Sequence, residues 1–193
     1  MSLISVIVST HNNYVSLQAA IRSVLDQTDG NIELIIVDYK STDQEYKNNI
    51  LDERYSVIHI TDVPHPYQSI YAQARIREEG LRVAKGDWIA FLDSNDKWLS
   101  NKIETQRNAL SNHPDIYFTC SNIQVGSEPY YSCRLPSIFY SNCLVHANYV
   151  YYSSVLLHRS IAEKLKEDNS WFDVLSYSPC LYHPEPLVQI RNK

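Results

Sequence analysis

The stretch Gly86-Asp87-Trp88-Ile89-Ala90-Phe91-Leu92-Asp93-Ser94-Asn95-Asp96 constrains the fold more than any other. Its apolar run, residues 88–92, is too short to span a membrane and long enough for a strand buried on both faces. It stops abruptly in Asp93, Ser94, Asn95 and Asp96, so a buried strand delivers carboxylate and amide oxygens to the edge of a sheet. Open α/β sheets place their ligands at that edge. Oxygen donors of this kind suit Mg²⁺ or Mn²⁺, which accept few protein ligands when substrate phosphates supply the rest. The plainer alternative is that Asp93 and Asp96 close a turn and cap the following helix.

The rest of the N-terminal half repeats that pattern. Leu3-Ile4-Ser5-Val6-Ile7-Val8 predicts a buried first strand running into the polar loop Ser9-Thr10-His11-Asn12-Asn13. Leu17, Ile21, Val24 and Leu25 recur at helical spacing before Gly30. Glu33-Leu34-Ile35-Ile36-Val37 predicts a second strand that stops at Asp38, and residues 55–60 a third. Helices are expected over 69–84 and 99–110, and a fifth strand over 116–120. Strand and helix thus alternate, which predicts one α/β domain with a mainly parallel central sheet, Rossmann-like in its N-terminal half. Residues 1–122 carry this alternation. Residues 123–193, poor in helix formers and rich in tyrosine, form a smaller mixed half.

Composition narrows the function classes. At 193 residues one well-buried domain is expected. A net charge of −5 with 44% hydrophobic residues points away from broad disorder and from a nucleic-acid binder. The four cysteines are widely spaced without a C-x-x-C pair, which disfavours structural zinc and a disulfide framework. With no long apolar run and no signal-like leader, the expectation is a cytoplasmic protein without a transmembrane segment, compatible with peripheral membrane association. A Rossmann dehydrogenase is disfavoured because no G-x-G-x-x-G follows the first strand.

Six collinear fragments resemble glycosyltransferase family 2, the inverting nucleotide-sugar transferases of GT-A fold. Residues 4–12 resemble its opening strand and Pro-Thr-Tyr-Asn loop, with Ser9 for proline and His11 for tyrosine. Ser23-Val24-Leu25-Asp26-Gln27-Thr28 resembles S-V-L-x-Q-T, and residues 35–43 stand where the family reads I-V-D-D-G-S-T-D. Residues 77–87 resemble R-N-x-G-x-x-x-A-x-G-D, residues 89–96 resemble I-A-F-L-D-S-D-D, and residues 184–191 resemble P-E-P-L-V-x-Y-R. The resemblance implies a hexosyltransferase-like enzyme that moves a sugar from a nucleoside-diphosphate donor, UDP-linked by expectation, to a carbohydrate or other hydroxyl acceptor with inversion. It assigns Ser9, Thr10, Asn12, Asp38, Arg77, Asp93 and Ser94 to the nucleotide-sugar, with Asp38 receiving the base. It assigns Asp93, Asn95 and Asp96 to a Mn²⁺ or Mg²⁺ ion that stabilises the diphosphate leaving group.

Departures from the pattern carry consequences. Tyr39 replaces the second aspartate of the Asp-Asp pair, and Lys40 replaces a glycine, so a glycine-type backbone angle there would be strained. Asn95 replaces an aspartate and removes a negative charge from the metal site. The family's Glu-Asp pair, whose aspartate is the catalytic base, has no counterpart between Phe172-Asp173 and His183-Pro184. Asp173 is the nearest candidate base by position, with Asp168, His146 and His158 behind it; the alternative for Asp173 is a surface or capping carboxylate. These departures leave open a catalytically weakened binding domain, or an accessory domain of a larger glycosylation enzyme whose partner completes the site.

Overall fold

The computed structural model describes residues 2–44, 46, 52–61, 68–132, 135–144, 149–165 and 171–191. Among them, strands β1 (Ile4–Thr10), β2 (Ile32–Tyr39), β3 (Ser56–Ile60), β4 (Trp88–Asp93), β5 (Lys97–Trp98), β6 (Phe118–Val125), β7 (Glu128–Pro129), β8 (Ile138–Phe139), β9 (Leu156–His158) and β10 (Cys180–Ile190) make one sheet. Its order is β3-β2-β1-β4-β9-β6-β10-β5, with β7 on β6 and β8 on β10. Strands β3, β2, β1 and β4 are mutually parallel, whereas β9 runs antiparallel to both β4 and β6. The result is the expected single α/β domain of GT-A type, parallel in one half and mixed in the other.

Burial on both faces explains the continuous apolar runs. Ile4, Val6 and Val8 of β1 enter one core with Leu17, Ala20, Ile21 and Val24 of helix α1 (Tyr14–Leu25) and Ile103 and Leu110 of α3 (Lys102–Ser111). Ile7 of β1 enters a second core on the opposite face with Ile35, Val37 and Phe91. That core also takes Ile76 of α2 (Gln68–Val83) and Trp171 and Val174 of α5 (Trp171–Val174). A short helix, α4 (Arg159–Ala162), follows β9.

Several expected boundaries move, each for a local reason. The helix expected from residue 99 starts at Lys102, because Lys97 and Trp98 pair with β10 and the Leu99 N–H donates to Leu187 O at 3.0 Å. β6 runs two residues past the compositional change at Ile123, paired with β10 throughout. The tail is a full inner strand, although Pro184 and Pro186 suggested only a brief run. Neither proline carries an N–H, and the β6–β10 register shifts at this point before pairing resumes. Cys120 and Cys180 are buried free thiols, and Cys143 is a free, half-buried one.

Two glycines set the approach of α2 and its exit turn to β1. A Cβ on Gly80 would lie 2.5 Å from Ile7 Cγ2, so the helix rests directly on the strand. A Cβ on Gly86 would lie 2.6 Å from Ser5 N and 2.7 Å from Leu3 O, where only backbone could yield. Gly86→Ala should therefore lower unfolding free energy by about 1–3 kcal/mol in urea titration. Gly30→Ala, whose added carbon meets nothing within 4 Å, should stay close to wild type in the same experiment.

Candidate active site

The register of β1 gathers the acidic residues. Thr10 pairs with Asp38 on one side and Ser9 with Asp93 on the other. Asp93 ends β4 and Asp38 is the last residue but one of β2, one register step apart, with β1 between them rather than as immediate neighbours. Two inter-strand steps put their backbones about 10 Å apart, within the span of one nucleotide.

Around Asp38 the site is tightly bonded. Asp38 is buried; its Oδ1 accepts from Ser41 Oγ at 2.5 Å and its Oδ2 lies 2.9 Å from His59 Nδ1. The Asn12 N–H donates to Ser41 Oγ, and Asn12 Oδ1 accepts from the amides of Thr42 and Asp43 at 2.8 and 3.0 Å. Asn12, Asn13 and Lys40 all have φ near +53°. Asparagine tolerates this region, but at Lys40 it is the strain anticipated from the missing glycine. Among the described residues, Thr10 Oγ1 and the fully buried Tyr46 hydroxyl meet no partner at hydrogen-bond geometry. Burial, then the Asp38 charge, raises the Tyr46 phenol above its ordinary range.

Beside Asp93 opens a cavity of about 470 Å³ lined by Ser9, Arg77, Asp93, Tyr151, Tyr152 and Trp171, among others. Arg77 is buried, its guanidinium carbon 5.0 Å from the centre of the Tyr152 ring, and among the described residues its Nε has no hydrogen-bond partner. Among the described residues no carboxylate pairs with it, which leaves a cation facing a pocket. Ser94 is buried next to this edge and donates its N–H to Ser9 O at 3.0 Å.

Asp93 and Asn95 share a polar turn. Asp93 Oδ1 accepts from the N–H and the Nδ2 of Asn95 at 2.8 and 3.0 Å, while Asn95 Oδ1 accepts from Asn13 Nδ2 at 3.1 Å. Asp96 turns the other way. It is buried and accepts from Ser153 Oγ at 2.5 Å, away from the exposed Asn95. Among the described residues no three His, Cys, Asp or Glu side chains group together as a metal cage. The donor set that fits a divalent cation is thus Asp93 with the Asn95 carbonyl, sparse enough that diphosphate oxygens must complete the shell.

The base candidates scatter. Asp173 is exposed on α5, and Trp171 of the same helix, rather than Asp173, lines the cavity. His158 pairs with Trp88, five residues before Asp93 and about 16 Å away along the strand; its ring caps α4 and packs edgewise on Trp88 and Tyr117. A base role for His158 is corrected on that ground. His146 and Asp168 lie outside the described residues. Sequence reasoning missed Tyr151, Tyr152, Ser153 and Trp171, for which the only signal was the tyrosine enrichment late in the chain.

Comparison with known proteins follows the same lines. The model of glycosyl transferase family 2 matches residues 5–165. WfaP of Escherichia coli, a UDP-Glc:alpha-D-GlcNAc-diphosphoundecaprenol beta-1,3-glucosyltransferase, is 32% identical over 188 residues, covering 91% of this chain and 71% of WfaP. TuaG of Bacillus subtilis, a putative teichuronic acid biosynthesis glycosyltransferase, is 36% identical over 110 residues, or 54% of this chain and 40% of TuaG. Crystal structures of S. aureus TarS 1-349 with UDP and with UDP-GlcNAc superpose with a TM-score of 0.72 at 16% and 17% identity. They match 99% of this chain, which spans 61% and 59% of theirs, and at that identity they bear on fold alone.

Burial pushes the Asp96 carboxyl up to about 6; Asp93 adds to the rise, and hydrogen bonds from Ser153 and Tyr151 oppose it. The folded chain therefore keeps this proton to higher pH than the unfolded chain, whose value is 3.8. Its contribution to stability falls as pH rises through that window. His183, lowered to about 4 by burial with Lys102 adding, acts in the opposite sense, so a difference measurement is needed. With EDTA present, the stability of Asp96→Asn minus wild type should grow by about 2–3 kcal/mol between pH 4 and pH 7. Urea titrations across that range check it, and a flat difference would contradict the assignment.

Proposed function

The chain belongs to glycosyl transferase family 2, and we propose that it transfers a sugar from a UDP-linked donor to an acceptor hydroxyl with inversion. The observation that carries this reading is that Asp38 and Asp93 flank the C-terminal end of β1 one register step apart, beside a pocket lined by Arg77, which meets no carboxylate among the described residues. A carboxylate has about four lone-pair sites; Ser41 and His59 leave Asp38 capacity for a base N–H. Arg77 faces the negative charge of a diphosphate, and Tyr151, Tyr152 and Trp171 form an amphipathic wall suited to a hexose ring. The name of WfaP supports glucose as donor sugar and a sugar-diphospholipid as acceptor class.

In this mechanism the acceptor oxygen attacks the anomeric carbon from the face opposite the leaving UDP. The bond to the diphosphate oxygen breaks as the new glycosidic bond forms, and a carboxylate takes the acceptor proton. Asp173, adjacent in chain to the pocket wall, is the proposed base. Asp38 holds the base of the nucleotide, Ser9, Thr10, Asn12 and Ser94 shape the cradle, and Arg77 stabilises the diphosphate. Asp93 and Asn95 would hold the Mn²⁺ or Mg²⁺ ion; when bound, the ion supplies electrostatic stabilisation to the departing diphosphate. Asp96 is proposed to support that turn from behind.

One observation favours a second reading. Among the described lining residues Asp93 is the sole carboxylate of the cavity, so a nucleotide-sugar-binding domain with weakened catalysis, completed by a partner chain or segment, is the alternative. Product formation from UDP-glucose by wild type and by Asp173→Asn separates the two: the transferase reading expects turnover that Asp173→Asn abolishes.

Two binding measurements test the site itself. Asp38→Ala should weaken UDP by about ten- to a hundredfold, with or without Mn²⁺, since a charged hydrogen bond is worth about 1.5–3 kcal/mol. Unchanged affinity by calorimetry would leave Asp38 only the holding of Ser41. Asn95→Asp should tighten Mn²⁺-dependent UDP binding and leave metal-free binding little changed. Equal manganese dependence in both proteins would remove Asn95 from the metal shell.

A further inference from the structure

Behind the tyrosine wall lies a polar group in the middle of an apolar core. The 3₁₀ turn Tyr152–Ser154 is irregular backbone buried beneath the sheet edge, with Ser153, Ser154 and Val155 all fully inaccessible. Its carbonyls cannot join a strand ladder and must find donors elsewhere. Three side chains on neighbouring structure supply them. Trp98 Nε1 donates to Ser153 O at 2.8 Å, Gln106 Nε2 to Ser154 O at 2.8 Å and Lys102 Nζ to Val155 O at 3.2 Å. The three donors are tied together, since Lys102 Nζ also donates to Gln106 Oε1 at 2.7 Å and lies 4.1 Å from the centre of the Trp98 ring.

The same turn reaches the site on its other side. The Asp93 N–H donates to Ser153 Oγ at 3.1 Å, and that hydroxyl donates to Asp96. Next to it, the Tyr152 ring is held between the Arg77 guanidinium and the Trp171 ring, 4.8 Å between centroids, with Phe91 edge-on at 5.8 Å. A displacement of the turn would therefore move Asp93, Tyr152 and Arg77 together. Lys102 and Gln106 are wholly buried, and burying a lysine is costly even with partners. Burial drives the Lys102 amine well below its ordinary value, and its N–H groups donate to Gln106 and Val155.

We propose that Trp98, Lys102 and Gln106 are positioning residues that set the sugar-facing wall of the donor pocket by gripping the three consecutive carbonyls of Ser153, Ser154 and Val155. This rests on the reading of the cavity as the seat of the donor sugar. The wall contacts the sugar, while the nucleotide is held at the far side of β1 by Asp38. Loosening the grip should consequently cost more affinity for a nucleotide-sugar, which meets the whole wall, than for the nucleotide, which meets only Asp93 and Arg77 on this side.

Trp98→Phe, Lys102→Met and Gln106→Met each delete one donor and keep most of the volume, and Trp98→Phe is the mildest if a core variant fails to fold. In the full chain, amide hydrogen exchange at residues 151–156 should rise about tenfold in each variant while β1 and β2 keep their protection. In calorimetry with Mn²⁺, UDP-glucose should weaken about tenfold more than UDP does. A parallel loss for both ligands, or raised exchange with an unchanged ratio, would overturn the positioning role and leave only structural satisfaction of the carbonyls. Failure of wild type to bind either ligand would instead overturn the reading of the cavity, and the positioning claim with it.

Discussion

The structure depends on the placement of β1 between β2 and β4, in register over its full length with one and over six pairs with the other. Parallel pairing on both sides leaves no solvent-exposed edge on this strand, so each of its residues is fixed in height and in face. A slip of one residue would turn the buried side chains of β2 or β4 to the wrong core. The apolar packing that locks the register is thus what assembles the polar edge, and the two cannot be varied independently.

Two close approaches maintain that arrangement from outside the sheet. Gly80 lets α2 lie on Ile7, and Gly86 lets the turn after α2 meet the backbone of β1. Ser5 Oγ and Glu33 then bind the same turn, through the Gly86 and Lys85 amides. Arg77 emerges from the helix held by these contacts, so its position over the cavity follows from packing rather than from a partner charge. Its guanidinium rests on the Tyr152 ring, a contact that favours a cation there.

The mixed half of the sheet works differently. β9 is inserted antiparallel between β4 and β6, and the turn before it carries the aromatic wall to the end of β4. Such a turn is not stabilised by a ladder. Its carbonyls are satisfied by polar side chains buried in α3 and β5, and its serine bridges Asp93 and Asp96. This explains why Asp96, adjacent in sequence to the exposed Asn95, points inward. The side-chain amide of Asn95 donates to Asp93, a bond an aspartate could not make. The substitution therefore trades charge for a preformed turn.

By itself the sequence determined the alternation of buried strands and amphipathic helices, the strand ends at Asp38 and Asp93, and the strain at Lys40. These are legible because burial on both faces demands continuous apolar runs, and because a glycine position occupied by lysine announces its own backbone conflict. The family resemblance added roles for residues near those strand ends. What only the tertiary structure decided was the neighbourhood of each group: β1 between the two acids, Asp96 turned to Ser153, and His158 at the opposite edge from Asp93. It also decided that Lys102 and Gln106 serve as buried donors rather than members of a solvated helix face, and that β10 enters the sheet despite two prolines. Each depends on partners 28 or more residues away in the chain, and local periodicity carries no information about which distant carbonyl or strand will stand opposite.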